Sequence, residues 1–203
     1  MNKPIFITGI GTGIGKTIVS AIVVEKLKAD YWKPIQAGDL DNSDTLLVKS
    51  LVSNTVSVFH PETYRLTQPY SPHKSAQLDG LVINMTQIIA PQTKNQLIIE
   101  GAGGLMVPLN NSFFMIDLIK QLDAEVILVS KNYLGSINHT LLSIDALKHK
   151  GIPVKGIIFN GDADESTQTV ILNYSNAPLL CNLPQMPVVN KASISSITHA
   201  INF

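Results

Sequence analysis

Short apolar blocks alternate along this chain with longer stretches in which apolar residues return every three or four positions. The first pattern predicts buried strands and the second amphipathic helices. The blocks are Pro4-Ile5-Phe6-Ile7, Tyr31 to Ile35, Leu97-Ile98-Ile99, Glu125 to Ser130, Val154 to Phe159 and Pro178 to Cys181. The first helical stretch runs from Ile18 to Ala29, with Val19, Ile22, Val23 and Leu27 in phase. Others are Thr45 to Leu51, Asn84 to Ala90 (stopped by Pro91), Asp117 to Leu122, Thr167 to Asn176 and a closing helix from Ser193 to Ile201. A long helix opens at Gly135, carries the stripe Ile137, Leu141, Ile144 and Leu147, and ends at Gly151 and Pro153. Between Ser53 and Leu81 the pattern lapses, and Pro61, Pro69 and Pro72 mix with Tyr64, Tyr70 and His73. That stretch is expected to be a long loop over one face, with a short helix near Ser75, serving as a lid or substrate wall. Strands alternating with helices predict an α/β fold, a mostly parallel sheet with helices on both faces.

Chemistry concentrates first between the opening strand and the first helix. Gly9-Ile10-Gly11-Thr12-Gly13-Ile14-Gly15-Lys16-Thr17 has the composition of a phosphate-binding loop. Its glycines let backbone N–H groups close around an anion, and the helix that follows adds a positive dipole end. Lys16 offers a point charge to β- and γ-phosphates, and Thr17 a hydroxyl to Mg2+. The spacing is a variant, because Gly9 and Gly15 enclose five residues where the general motif has four. A dinucleotide fingerprint fits worse, since its third glycine would fall on Ile14.

Four other places have two readings each. Lys33, at a strand end before Pro34, is either a solvated lysine, the preferred reading, or a second charge on the same anion. Asp44 closes Asp41-Asn42-Ser43-Asp44 and is either part of a helix cap, again preferred, or a magnesium ligand. Glu100 ends an apolar strand and precedes Gly101-Ala102-Gly103-Gly104, which favours an acid that positions magnesium. The N–H groups from Gly135 to Asn138 suit a carboxylate, and Ser136 suits a plain helix cap equally well. Asn160 and Asn182 are strand-end amides, able to read a purine edge or cap turns.

Composition narrows the classes. The 203 residues suit one domain spanning 1–203. Lys plus Arg equals Asp plus Glu, so no basic excess points to nucleic acid or an anionic membrane. The single cysteine, Cys181, sits in an apolar run and is expected to be a buried, inert thiol. No apolar run approaches the ~20 residues of a membrane span. A glycine loop also interrupts any N-terminal signal core, so a cytoplasmic protein is expected. Five scattered histidines make no zinc spacing.

The motifs together resemble the dethiobiotin synthetase family. In family order they are the Gly-x5-Gly-Lys-Thr loop, Trp32-Lys33-Pro34-Ile35, Asn42-Ser43-Asp44, Ser71-Pro72-His73, Glu100-Gly101-Ala102-Gly103-Gly104, Leu134-Gly135-Ser136-Ile137-Asn138-His139 and Asn160. The five-residue spacing is this family's own. The resemblance implies a P-loop NTPase-like three-layer sandwich. It implies a ligase that joins 7,8-diaminononanoate and CO2 (or bicarbonate) at the expense of ATP. It also implies ATP binding by Gly11, Gly13, Ile14, Gly15, Lys16, Thr17, Glu100, Gly103 and Asn160, with Asn160 at adenine, and Mg2+ binding by Thr17, Asp44 and Glu100. Lys16, Lys33 and Thr12 would act on the reacting groups. Gly135, Ser136, Ile137 and Asn138 would take the substrate carboxylate near the interface of a homodimer. Gly13 and Ala37 depart from the family pattern, where many members carry a glutamate and a hydroxyl. A partitioning-ATPase-like switch is the alternative, but that class carries a lysine where this chain has Gly11. An amide-forming synthetase of the cobalamin pathway lacks support, with no glutaminase cysteine or second domain.

Overall fold

The computed structural model describes residues 3–203. Five strands meet the sequence expectation closely: β1 (Ile5–Gly9), β6 (Leu97–Glu100), β7 (Glu125–Lys131), β8 (Val154–Asn160) and β9 (Leu179–Leu183). The expected Tyr31–Ile35 strand divides instead. β2 (Asp30–Trp32) stays in the main sheet, and β3 (Ile35–Ala37) leaves it for a two-stranded sheet with β5 (Tyr64–Leu66). Pro34 lies at the break and has no N–H to continue a ladder. The stretch expected to be loop also contains β4 (Phe59–His60), β5 and the anticipated short helix α3 (Pro72–Leu78).

The main sheet has the order β4-β2-β6-β1-β7-β8-β9, and every recorded pairing in it is parallel. The side-chain period of two divides the core into two layers. Phe6, Ile99, Val126, Leu128, Ile157 and Phe159 face one way, with Leu118 and Ile119 of α4 (Met115–Gln121), Ile144 and Leu147 of α5 (Ser136–His149), and Ile171 of α6 (Glu165–Ser175). Ile5, Ile7, Tyr31, Ile98, Ile127 and Val129 face the other way. There they join Val19, Ile22 and Val23 of α1 (Lys16–Leu27), Val48 and Leu51 of α2 (Asp44–Leu51) and Ile194 of α7 (Lys191–Ile197). The result is the expected α/β three-layer sandwich.

Two helical expectations change. Asn84 to Ala90 gives only a 3-10 turn, Met85–Gln87. The buried stripe of α5 is Ser136, Thr140, Ile144 and Leu147, while Ile137 is exposed and Leu141 only half-buried. The helix is therefore rotated from its apolar pattern, and Thr140 fills a core position by bonding Ser130 Oγ and the Ser136 carbonyl at 2.9 and 2.7 Å. Cys181 is buried and free, and burial pushes its thiol pKa up. Among the described residues no helix is long and apolar enough to cross a membrane.

The end of the sheet opposite the phosphate loop is tied at one carboxylate. Asp30 is buried and accepts from Val58 N–H at 2.9 Å, Thr93 Oγ1 at 2.6 Å and Asn95 Nδ2 at 2.8 Å, with His60 Nε2 at 3.3 Å. Burial alone would raise its pKa, but the hydrogen bonds from Asn95, Thr93, Val58 and His60 outweigh burial and hold it below the usual value. A depressed folded-state pKa gives stability that is present above the unfolded value of ~3.9 and is lost as pH falls through the folded value. Asp30→Asn is expected to cost about 1–3 kcal/mol at neutral pH, because the new amide donor meets existing donors. Urea unfolding at pH 7 and pH 3 checks it: the gap between wild type and variant narrows at the lower pH.

Candidate active site

The carboxyl ends of β1, β2 and β6 are neighbours in the sheet, so whatever follows each strand meets at one place. After β1 comes the glycine loop, after β2 comes Lys33, and β6 ends on Glu100 itself. Together with α2 they surround a cleft of about 830 Å3. Its walls include Thr12 to Thr17, Lys33, Asp44 and Glu100 to Gly103. Pro69, Tyr70, Ser71 and Pro72 form another wall, the place expected for the irregular stretch.

The loop turns into α1 at Gly15, whose φ of 97° is left-handed. A Cβ here would also lie 2.1 Å from Asn160 Nδ2, which donates to the Ile14 carbonyl at 2.7 Å. Only glycine satisfies both conditions. Lys16 Nζ donates to the Gly11 carbonyl at 2.9 Å, folded over its own loop. Burial is the largest influence on Lys16 and, with repulsion from Lys33, outweighs Glu100 and Asp44, lowering its pKa to about 8.

Lys33 is not the solvated lysine preferred from sequence. It is 4% exposed. Its Nζ lies 2.9 Å from Asp44 Oδ2 and 3.2 Å from Glu100 Oε1. Burial pulls its pKa down, but the two carboxylates more than compensate and hold it above the ordinary lysine value. Asp44 is likewise more than a cap. The N-cap of α2 is Ser43, whose Oγ accepts from Leu46 N–H, and Asp44 opens the helix with its side chain turned to Thr17 and Lys33. Burial raises the Asp44 pKa, and the Lys33 charge and hydrogen bonds reverse that to a net lowering.

Thr17 Oγ1 lies 2.8 Å from Asp44 Oδ1 and 3.0 Å from Glu100 Oε1. One hydroxyl proton cannot serve both carboxylates at once. Three hard oxygens thus converge from α1, α2 and β6, a donor set that fits a magnesium ion completing its shell with water and phosphate oxygens.

The other sequence candidates divide. Thr12 and Gly13 form the exposed rim of the loop beside half-buried Gly11, and Gly103 stands near Thr12 Oγ1. Asn160 reaches the back of the loop, where its amide nitrogen is engaged by Ile14. Gly135, Ser136, Ile137 and Asn138 do not line the 830 Å3 cleft. The cap of α5 is Gly135, with φ of 103° and no side-chain cap bond, so Ser136 is not the cap considered from sequence. Two residues near the site escaped the sequence reading. Gln36 accepts from Asp44 N–H at 3.3 Å through Oε1. Tyr31 donates from its hydroxyl to Glu100 Oε2 at 2.9 Å. Burial and the Glu100 charge raise the Tyr31 pKa well above normal, so it remains a donor. In sequence Tyr31 looks like an ordinary strand residue, and Gln36 falls just beyond the expected strand.

The chain is similar to known proteins over most of its length. The AAA domain family model matches residues 3–193. A protein of Christiangramia forsetii named ATP-dependent dethiobiotin synthetase BioD is 55% identical over 92% of this chain and 90% of its own length. The protein of that name from Cytophaga hutchinsonii is 47% identical over 96% and 94%. The chain belongs to the dethiobiotin synthetase family. It is accordingly a ligase of this type. A ParA family ATPase from Chlorobium tepidum superposes with a TM-score of 0.59 at 13% identity, covering 98% of this chain and 100% of that one. The cell division ATPase MinD of Pyrococcus furiosus gives 0.59 at 13%, covering 97% and 89%. These two likenesses establish the P-loop fold alone.

Gly15→Ala is expected to leave the sheet intact but to expel Asn160 from the loop and abolish measurable ADP binding. Isothermal titration beside a circular-dichroism melt checks this. Tight binding by the variant would show that the loop tolerates a Cβ at residue 15.

Proposed function

We propose that this chain, working as one domain over residues 1–203, makes dethiobiotin from 7,8-diaminononanoate, CO2 and ATP, releasing ADP and phosphate. Relatives named for that activity at 41–55% identity support the substrate assignment. The observation that carries the chemistry is the meeting of Lys16, Thr17, Lys33, Asp44 and Glu100 in one cleft. Two cations and two carboxylates there suit a reaction that moves a charged phosphoryl group by positioning and electrostatics.

In the proposed sequence, one substrate amine adds to CO2 and loses a proton, giving a carbamate. A carbamate oxygen attacks the γ-phosphorus and ADP leaves, so the intermediate is a carbamic–phosphoric anhydride. The second amine attacks its carbonyl carbon, expels phosphate and closes the ureido ring. Mg2+, when bound, would supply charge neutralisation at the phosphate oxygens. Thr17, Asp44 and Glu100 would hold it. Lys16 exchanges its Gly11 carbonyl for phosphate oxygens, following the transferring group. Lys33 stands between nucleotide and carbamate, and Thr12 on the loop rim holds the carbamate. The loop from Gly11 through Gly13, Ile14 and Gly15 cradles the phosphates with Gly103 nearby. Asn160 keeps its amide oxygen for the adenine amine.

The substrate carboxylate is assigned to the N–H groups of Gly135, Ser136, Ile137 and Asn138, presented by the second copy of a homodimer. Support comes from the exposed apolar residues around that helix start: Tyr133, fully exposed Leu134, Ile137 and Leu142. An ATP-consuming biosynthetic step suits a cytoplasmic location.

Omitting components in turn tests the reading. Phosphate release is expected to require both diamine and bicarbonate, with dethiobiotin detected by mass spectrometry. ATP hydrolysis indifferent to the diamine, with no ring product, would sink it. Lys16→Gln is expected to lower turnover by about 10²–10³-fold, the scale of losing one electrostatic stabiliser. Wild-type turnover in that variant would remove Lys16 from the mechanism.

A further inference from the structure

We infer that Tyr31 is a positioning residue that decides which oxygen Glu100 presents to magnesium–ATP. The inference rests on the proposed magnesium site and adds a residue to it.

Tyr31 on β2 pairs in register with Ile98 on β6, and Glu100 lies two residues beyond Ile98 on the same face. A separation of ~6.6 Å along the strand requires a long side chain to bridge it. The phenol does so through the buried layer and donates to Glu100 Oε2 at 2.9 Å. Both residues are almost completely buried, at 0% and 1% exposure. The phenol itself is steadied by Phe59, with ring centroids 6.2 Å apart. On the other oxygen, Oε1, Thr17 Oγ1 lies at 3.0 Å and Lys33 Nζ at 3.2 Å.

The two oxygens of Glu100 therefore have separate duties. Oε2 is turned into the protein and held by Tyr31. Oε1 is turned to the cleft. The terminal torsion of a glutamate is soft, so an untethered carboxylate would swing between one-oxygen and two-oxygen presentation. Tyr31 removes that freedom and leaves a single oxygen for the metal or its water. Partners that orient a metal-holding carboxylate commonly affect metal affinity by 10–100-fold. A merely structural hydrogen bond would change the melting temperature and leave magnesium dependence alone.

The test uses the full chain and a fluorescent N-methylanthraniloyl ADP, titrated in EDTA and then with Mg2+. Tyr31→Phe is expected to bind the nucleotide in EDTA as wild type does, but to need about 10–100-fold more Mg2+ to reach the tight complex. In a Glu100→Gln background the same substitution is expected to add nothing. An unchanged Mg2+ midpoint in a Mg2+-dependent wild type overturns the role of Tyr31 alone. So does an equal loss with and without Mg2+, or an additive loss in the double variant. Wild-type binding indifferent to Mg2+ overturns both this inference and the metal site. Should Tyr31→Phe not fold, 3-fluorotyrosine at position 31 gives a second readout. Its fluorine resonance is expected to move when Mg2+ joins the ADP complex, and not in Glu100→Gln. A stationary resonance in the otherwise wild-type chain overturns the inference.

Discussion

A buried ammonium can exist only where something replaces its water. Lys33 meets that constraint with Asp44 and Glu100, at 2.9 and 3.2 Å. The requirement ties three separate parts of the chain to one point: the turn after β2, the first residue of α2 and the last residue of β6. Thr17 brings in α1 as a fourth. Losing one member of such a set leaves an uncompensated buried charge, at a cost of about 3–5 kcal/mol. The charges proposed for phosphoryl transfer therefore also hold the carboxyl end of the sheet together.

Legibility in the sequence followed the range of the physics involved. The β1–loop–α1 unit declares itself because its glycines, lysine and apolar periodicity are all local. Glu100 was also readable, as an acid ending an apolar strand before a glycine turn. Local pattern alone favours a solvated Lys33, and only the family motifs point to the cleft, because its environment is made by Asp44 and Glu100, 11 and 67 residues away in the chain. For Asp44 the local pattern alone favours a cap, a role that its neighbour Ser43 supplies. β4 and β5 have two and three residues, too few to show a period. The stripe of α5 shifted because Thr140 can occupy a core position once Ser130 Oγ and the Ser136 carbonyl serve as its hydrogen-bond partners.

The fold by itself says little about the reaction. ParA and MinD ATPases share the architecture at 13% identity. Several residues of this chain's own family motifs stand in the cleft: Thr12, Lys33, Asp44, Ser71 and Gly103. All but Asp44, which opens α2, occupy loops, where side chains change without disturbing the two core layers.

Asn160 belongs to β8, and β7 lies between β8 and β1 in the sheet. Its hydrogen bond to Ile14 fastens the phosphate loop to a strand that does not precede it. A loop fastened in this way has less freedom to lose when a nucleotide binds. The entropy of shaping those glycines is met during folding, together with the rest of the sheet, rather than at each turnover. Binding free energy that a slack loop would spend on its own ordering is left for the phosphates.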